Sequence, residues 1–325
     1  MMEATERHAI ATTLLELTSK FDGEELTVSL DEFGWEELHL VEPADAVAAL
    51  FLAQGRAGSW SSALHDVLGS ATRLGDHDLR GATVLIPRPH REVSTEAYSG
   101  TETVDGLMVG ARSNTGSVVV TAGAGAEMKI LRIPRKSMII DEVGGLDHRL
   151  KMHRVSGDLN GGDLLADGVE AFQWWSSAVA AARRAIAFGL CGAMESMLDL
   201  AVSHANDRQQ FGRPVGAFQA VRHRLASCRV MFTGATAAAG ATLPCEEPEL
   251  AALVAKVVTG RAQQSVGTHC QQVLAGIGFT AEHPFHTFMA RAITLDRLFG
   301  SATELAPEVG RALIRRGGAV RLVEL

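Results

Sequence analysis

From about residue 168 to its C-terminus the chain reads as long helices separated by very short breaks, and this property restricts the fold more than any other. The spacing of apolar residues predicts one helix over 169 to about 206, a second over 218 to about 243, and a third over 247 to about 274. A fourth is predicted over about 284–299 and a last one over 304–316, with Pro244 and the Gly276/Gly278 pair as punctuation. Helices of this length joined by such short turns lie antiparallel and bury their apolar stripes against one another, as a bundle.

The first half has a different texture. Ile10, Leu14, Leu15 and Leu17 make an apolar stripe on a first short helix, and 38–52 and 60–74 read as two more. Between 81 and 158 the pattern changes to short apolar runs: Val84 to Ile86, Leu107 to Val109, Val118 to Thr121, Lys129 to Ile133 and Met138 to Ile140. Gly, Ser, Asn and Asp separate these runs, with turn chemistry at Asp105-Gly106 and Asn114-Thr115-Gly116, which predicts a small antiparallel β domain. The expected organisation is a helical domain over 1–80, a β domain over 81–165 and a helical bundle over 166–325, mainly α with a small middle β domain.

At 325 residues, with 46% hydrophobic and 21% charged residues, the chain has an ordinary globular composition and enough length for a sizeable core. Its net charge of −8 argues against a nucleic-acid partner, although Arg208, Arg213, Arg222 and Arg224 form a local basic cluster. The four cysteines show no CxxC spacing and read as thiols buried in helices of a reduced, cytoplasmic protein. No run of about 18 uncharged apolar residues predicts a membrane span. His283 and His286, and His148 and His153, lack the Cys, Asp or Glu companions of a metal site.

The chemistry concentrates in RQQFGRPVGAFQ (208–219) and QVLAGIGFTAEHP (272–284). Arg208 offers a planar fork of donors suited to a pyrophosphate, though a cation at a helix C-terminus is favoured on its own by ~0.3–1 kcal/mol. Phe211 supplies an aromatic face, Gln219 donates and accepts, and Pro214 fixes the turn that returns Gln219 towards Arg208. Gln272, Gly276 and Gly278 stand at a helix end, where a missing Cβ lets a backbone approach a phosphate.

Together these two segments resemble the C-terminal domain of the flavin-dependent acyl-CoA dehydrogenases, and DEFGWEELHLVEP resembles that family's E-x-G-W-x-x-L segment. The resemblance implies N-terminal helices, a β domain and a C-terminal four-helix bundle. It implies FAD as cofactor, with Arg208, Phe211, Gln219, Gln272 and Gly276 holding the ADP half of the FAD of a neighbouring subunit. There are departures. The family's T-E-x-x-A-G-S-D-like stretch has no match in 82–97, and Ala275-Gly276 stands where two glycines are usual. The family's catalytic glutamate aligns with Phe299, before Gly300 and Ser301, and the alternative position for the base aligns with Ala182, beside Arg183.

No catalytic residue is therefore assigned to this chain. The expectation is the degenerate subunit of an α2β2 acyl-CoA dehydrogenase, of the kind that serves actinobacterial steroid and lipid catabolism. A complete partner subunit supplies the base and most of the acyl-CoA pocket. Two alternatives stand beside it: a self-sufficient homo-oligomer with an atypical base such as Glu195, which shares a helix face with Asp199, and a flavin-free structural subunit.

Overall fold

The structure, a computed structural model, describes residues 3–88, 103–110, 116–242 and 245–318. Five helices open the chain: α1 (Ala4–Lys20), α2 (Gly23–Phe33), α3 (Trp35–Val41), α4 (Pro43–Ala57) and α5 (Ala63–Gly69). The sequence predicts one helix over 38–52, but the chain forms two there. Pro43 has no N–H to continue α3 and starts α4 at its first turn instead. The α2 helix, absent from the expectation, begins at Asp22, whose carboxylate accepts from the N–H groups of Gly23 (2.9 Å) and Trp60 (2.8 Å). The apolar run 60–74 yields only the seven residues of α5.

Among the described residues eight strands follow: β1 (Thr83–Val84), β2 (Ile86–Pro87), β3 (Thr103–Val109), β4 (Ser117–Ala122), β5 (Lys129–Pro134), β6 (Met138–Glu142), β7 (Met152–Asp158) and β8 (Asp163–Asp167). They form two four-stranded sheets, ordered β1-β4-β5-β8 and β2-β3-β7-β6. Leu85, Val104, Met108, Val118, Val120, Ile133, Met138 and Val155 form their shared core. The sheets are antiparallel except for the β1–β4 pair, which is parallel. Asp105-Gly106 is not a turn: both residues lie inside β3, opposite Ser156 and Val155 of β7. Asp105 is held there by Arg88 at 2.7 Å and Arg154 at 2.9 Å. Asn114 and Thr115, like most of 82–97, lie outside the described residues.

The bundle matches the helical reading closely. It contains α6 (Gly168–Asp207), α7 (Gln219–Gly240), α8 (Pro248–Leu274), α9 (Phe285–Arg297) and α10 (Ala302–Arg316). Pro244 lies outside the described residues. With 40 residues, α6 is roughly 60 Å long, and it packs against α4, α7, α8 and α9. It is also apolar enough over one stretch to cross a membrane by length and composition, but 72% of that stretch is buried inside the protein. Cys191, Cys228 and Cys270 are buried in α6, α7 and α8, whereas Cys245 is half-buried in the turn before α8 rather than in a helix.

Two features lock the N-terminal helices to this rod. The first is steric. A Cβ on Gly55 of α4 would stand 2.2 Å from the carbonyl oxygen of Gly189, and one on Gly192 would stand 2.2 Å from that of Leu52. The two helices thus cross backbone to backbone. The second is polar: the buried Arg291 of α9 pairs with the buried Asp147 and donates to the carbonyl of Ser59 at 2.6 Å. One guanidinium joins the bundle, the loop before β7 and the turn after α4.

The crossing makes opposite predictions for two glycines. Gly192→Ala lowers stability by about 3 kcal/mol, because backbone must move to admit the methyl. Gly234→Ala, where a Cβ meets nothing within 4 Å, raises it by about 0.5–1 kcal/mol. Urea unfolding of both variants checks this.

Candidate functional site

The segment between α6 and α7 is a two-residue hairpin. Gln209–Gln210 (β9) pairs antiparallel with Arg213–Pro214 (β10), and the Val215 N–H closes it on the Arg208 carbonyl at 2.8 Å. Both tip residues have positive φ, Phe211 at 52° and Gly212 at 78°. Such a tip favours Asn-Gly, so a phenylalanine here is strained by about 1–2 kcal/mol. Its ring is 90% exposed and meets the edge of Phe218, with centroids 6.1 Å apart. A strained backbone that displays an apolar ring to solvent is the kind of outlier found at binding sites.

Beside the hairpin lies a groove of about 620 Å³, lined by the end of α6 (His204, Arg208), the first turns of α7 (Ala220, Val221, Arg224) and the end of α8 (Gln272, Ala275, Gly276). Its lining residues include two arginines and no carboxylate. Among the described residues no acid pairs with Arg208; its neighbour Asp207 accepts from Ser203 instead, at 3.2 Å. Partial burial, together with the charges of His283 and Arg208, holds the His204 ring below the usual histidine range. The α7 helix starts without a side-chain cap, so its first-turn N–H groups and its dipole add positive potential. A groove of this size and sign suits a phosphorylated ligand of nucleotide dimensions.

The structure brings Arg208, Gln272 and Gly276 together here. Phe211 and Gln219 do not line the groove of the single chain; both are exposed beside it. The two glycines differ in purpose. A Cβ on Gly276 would meet open space, whereas one on Gly278 would come within 2.4 Å of the Gln271 side chain. Gly276 therefore leaves room in the groove, while Gly278 serves packing. Ala275 is exposed in the groove wall, so its methyl does not point into the bundle, and its backbone has φ 54° and ψ −135°, a region that suits glycine. Sequence reasoning noted Arg224 only as part of a basic cluster. Its position in the groove needed the α7 start to be known.

The other end of α6 is filled. Phe299, only 2% exposed, has φ 55° and packs on Trp175 with ring centroids 6.4 Å apart. The buried Arg183, next to Ala182 in the chain, donates to the Phe299 carbonyl at 3.1 Å. Ala182 is fully buried. Lys256, also fully buried, donates to the carbonyls of Asp296 (2.7 Å) and Gly300 (2.9 Å) and fixes the turn that carries Phe299. Burial pushes the Lys256 amine down to about 8, against the opposing pull of Asp296. Glu195 is tied to Arg56 of α4 at 3.4 Å. His283 accepts from the Phe285 N–H, and His286 bonds to the His283 carbonyl, so both serve the start of α9.

Residues 171–313 match the family described as acyl-CoA dehydrogenase, C-terminal domain. The acyl-CoA dehydrogenase IpdE2 of Mycolicibacterium smegmatis is 35% identical over 113 residues, 35% of this chain and 36% of that protein. The chain thus spans about a third of the length of that curated relative. FadE27 of Mycobacterium tuberculosis is 25% identical over 225 residues, 64% of this chain and 56% of its own. Among solved structures, a steroid ACAD variant described as Tcur3481-Tcur3483 has TM-score 0.79 and 20% identity, over 96% of this chain and 98% of that one. The ChsE4-ChsE5 complex of Mycobacterium tuberculosis has TM-score 0.76 and 17% identity, over 97% and 98% of the two chains. At such identities the likeness is one of fold, the acyl-CoA dehydrogenase fold.

Two outcomes follow from this geometry. Ala275→Gly relieves the backbone strain and raises stability by about 1 kcal/mol after the entropic cost of glycine, measurable by thermal unfolding. Lys256 has a lower pKa folded, about 8, than unfolded, so between pH 8 and the usual lysine range the unfolded chain binds the extra proton. Rising pH in that window therefore stabilises the fold through this group, by about 1 kcal/mol per unit. The stability difference between the unaltered protein and Lys256→Met, followed from pH 7.5 to 10, moves in favour of the lysine.

Proposed function

We propose that this chain, which belongs to the acyl-CoA dehydrogenase family through residues 171–313, is the helper subunit of a two-subunit flavin-dependent dehydrogenase of acyl-CoA substrates. The observation that carries the proposal is the groove at the end of α6, with two arginines, the α7 N-terminus and no acid in its lining. These residues fit the ADP half of FAD. Arg208 holds the pyrophosphate through its fork of donors, and the open space at Gly276 admits the phosphate close to backbone. Gln272 lies beside them in the groove wall. Phe211 and Gln219, exposed next to the groove, complete the clamp when the flavin of the neighbouring subunit lies across it.

The bound flavin supplies hydride acceptance in α,β-dehydrogenation, where a base removes the α-proton of the acyl-CoA. The complete partner brings that base as a glutamate. Two observations support the division of labour. Phe299 and Ala182 carry no acid, and their surroundings, with Trp175 and the Arg183 and Lys256 networks, are closely packed. Similar folds include a two-component complex and a steroid ACAD, which favours an α2β2 assembly acting on steroid side-chain or lipid-derived acyl-CoA.

Arg208→Ala in the co-purified complex weakens FAD retention about tenfold or more, with activity falling in parallel. Flavin absorbance after gel filtration reads the first effect. Full flavin occupancy in the variant complex overturns the assignment of Arg208.

A further inference from the structure

We infer that Arg224, held in place by His269, is a second phosphate-binding arginine of the groove, beside Arg208. The inference rests on the reading of the groove as the ADP-side cofactor site and adds a residue pair to it.

Arg224 lines the groove from α7, while Arg208 lines it from the end of α6. Two cations on separate elements can each meet one phosphoryl group of a pyrophosphate, which a single guanidinium does less completely. The second cation is also positioned. Arg224 Nη1 lies 3.2 Å from His269 Nδ1, on α8 one turn before Gln272. An arginine only donates, so Nδ1 of His269 is the acceptor and that ring carries its proton on Nε2. The contact uses one of the five guanidinium N–H groups, and four remain for a ligand. Among the described residues no carboxylate pairs with Arg224, so its charge is available to the groove. Arg222, two residues away, behaves differently. It is absent from the groove lining and reaches back to the Ala217 carbonyl at 3.5 Å.

His269 acts through Arg224 and is a positioning residue: it fixes a flexible side chain before the ligand arrives, reducing the freedom lost on binding. Glutamine at 269 retains a carbonyl acceptor; leucine does not.

The test is calorimetric titration of the co-purified complex, stripped of its flavin, with ADP, AMP and adenosine. Arg224→Gln weakens ADP binding about tenfold, weakens AMP less, and leaves adenosine unchanged. His269→Leu gives part of that loss and His269→Gln restores ADP affinity, a pattern that a purely structural histidine does not produce. Arg224→Lys, which keeps the charge but not the fork, falls between Arg224→Gln and the unaltered chain. If Arg208→Ala weakens ADP binding while Arg224→Gln does not, the inference is wrong and the groove reading stands. If neither substitution matters, or if the unaltered complex takes no ADP, both are wrong.

Discussion

The long helix α6 is the constraint on which the rest of the molecule depends. The α4 helix approaches it to backbone contact at Gly55, Gly189 and Gly192, which leaves little freedom in where α4 can lie. The bundle helices pack along its other faces, and the loop after it carries the hairpin with Phe211. Because a helix is rigid at this length, it also fixes the separation of the two regions that matter for chemistry. Arg183 and Arg208 are 25 residues apart along it, a distance of roughly 35–40 Å.

Those two regions have opposite characters. At the C-terminal end the protein keeps arginines with no carboxylate partner among the described residues, strained backbone and an exposed ring around open volume. Such features lower stability and persist where a ligand uses them. Near the other end it fills space: Phe299 takes left-handed backbone, Trp175 packs on its ring, and Lys256 and Arg183 bind the carbonyls of the turn. Placing a fully buried amine there is tolerated because two carbonyls and a carboxylate surround it. The asymmetry between an open groove and a filled turn is the physical content of the helper-subunit proposal.

Much of this was legible in the sequence because it depends on local signals. Long apolar periodicity located all five bundle helices, and Gly-x-Pro and Gly-x-Gly marked the loops of the groove. What failed depended on tertiary context. Asp105-Gly106 has turn chemistry but lies inside a strand, since Arg88 and Arg154 flank the aspartate and β7 pairs with its backbone. Pro43 split a predicted helix that apolar spacing alone ran through. The parallel β1–β4 pair and the placement of Phe211 and Gln219 outside the groove of a single chain carry no sequence signature. The effect of Ala275 became readable only with its φ and ψ, which show a methyl displayed in the groove wall rather than packed inside.

The most direct measurement of the central claim is visible flavin absorbance of this chain purified alone, compared with the chain co-purified with a complete acyl-CoA dehydrogenase subunit. The account predicts a colourless chain alone and a yellow complex, with flavin in proportion to the complete subunit. A yellow chain that retains FAD without a partner, and reduces it with an acyl-CoA, would contradict the account and make this chain a complete enzyme.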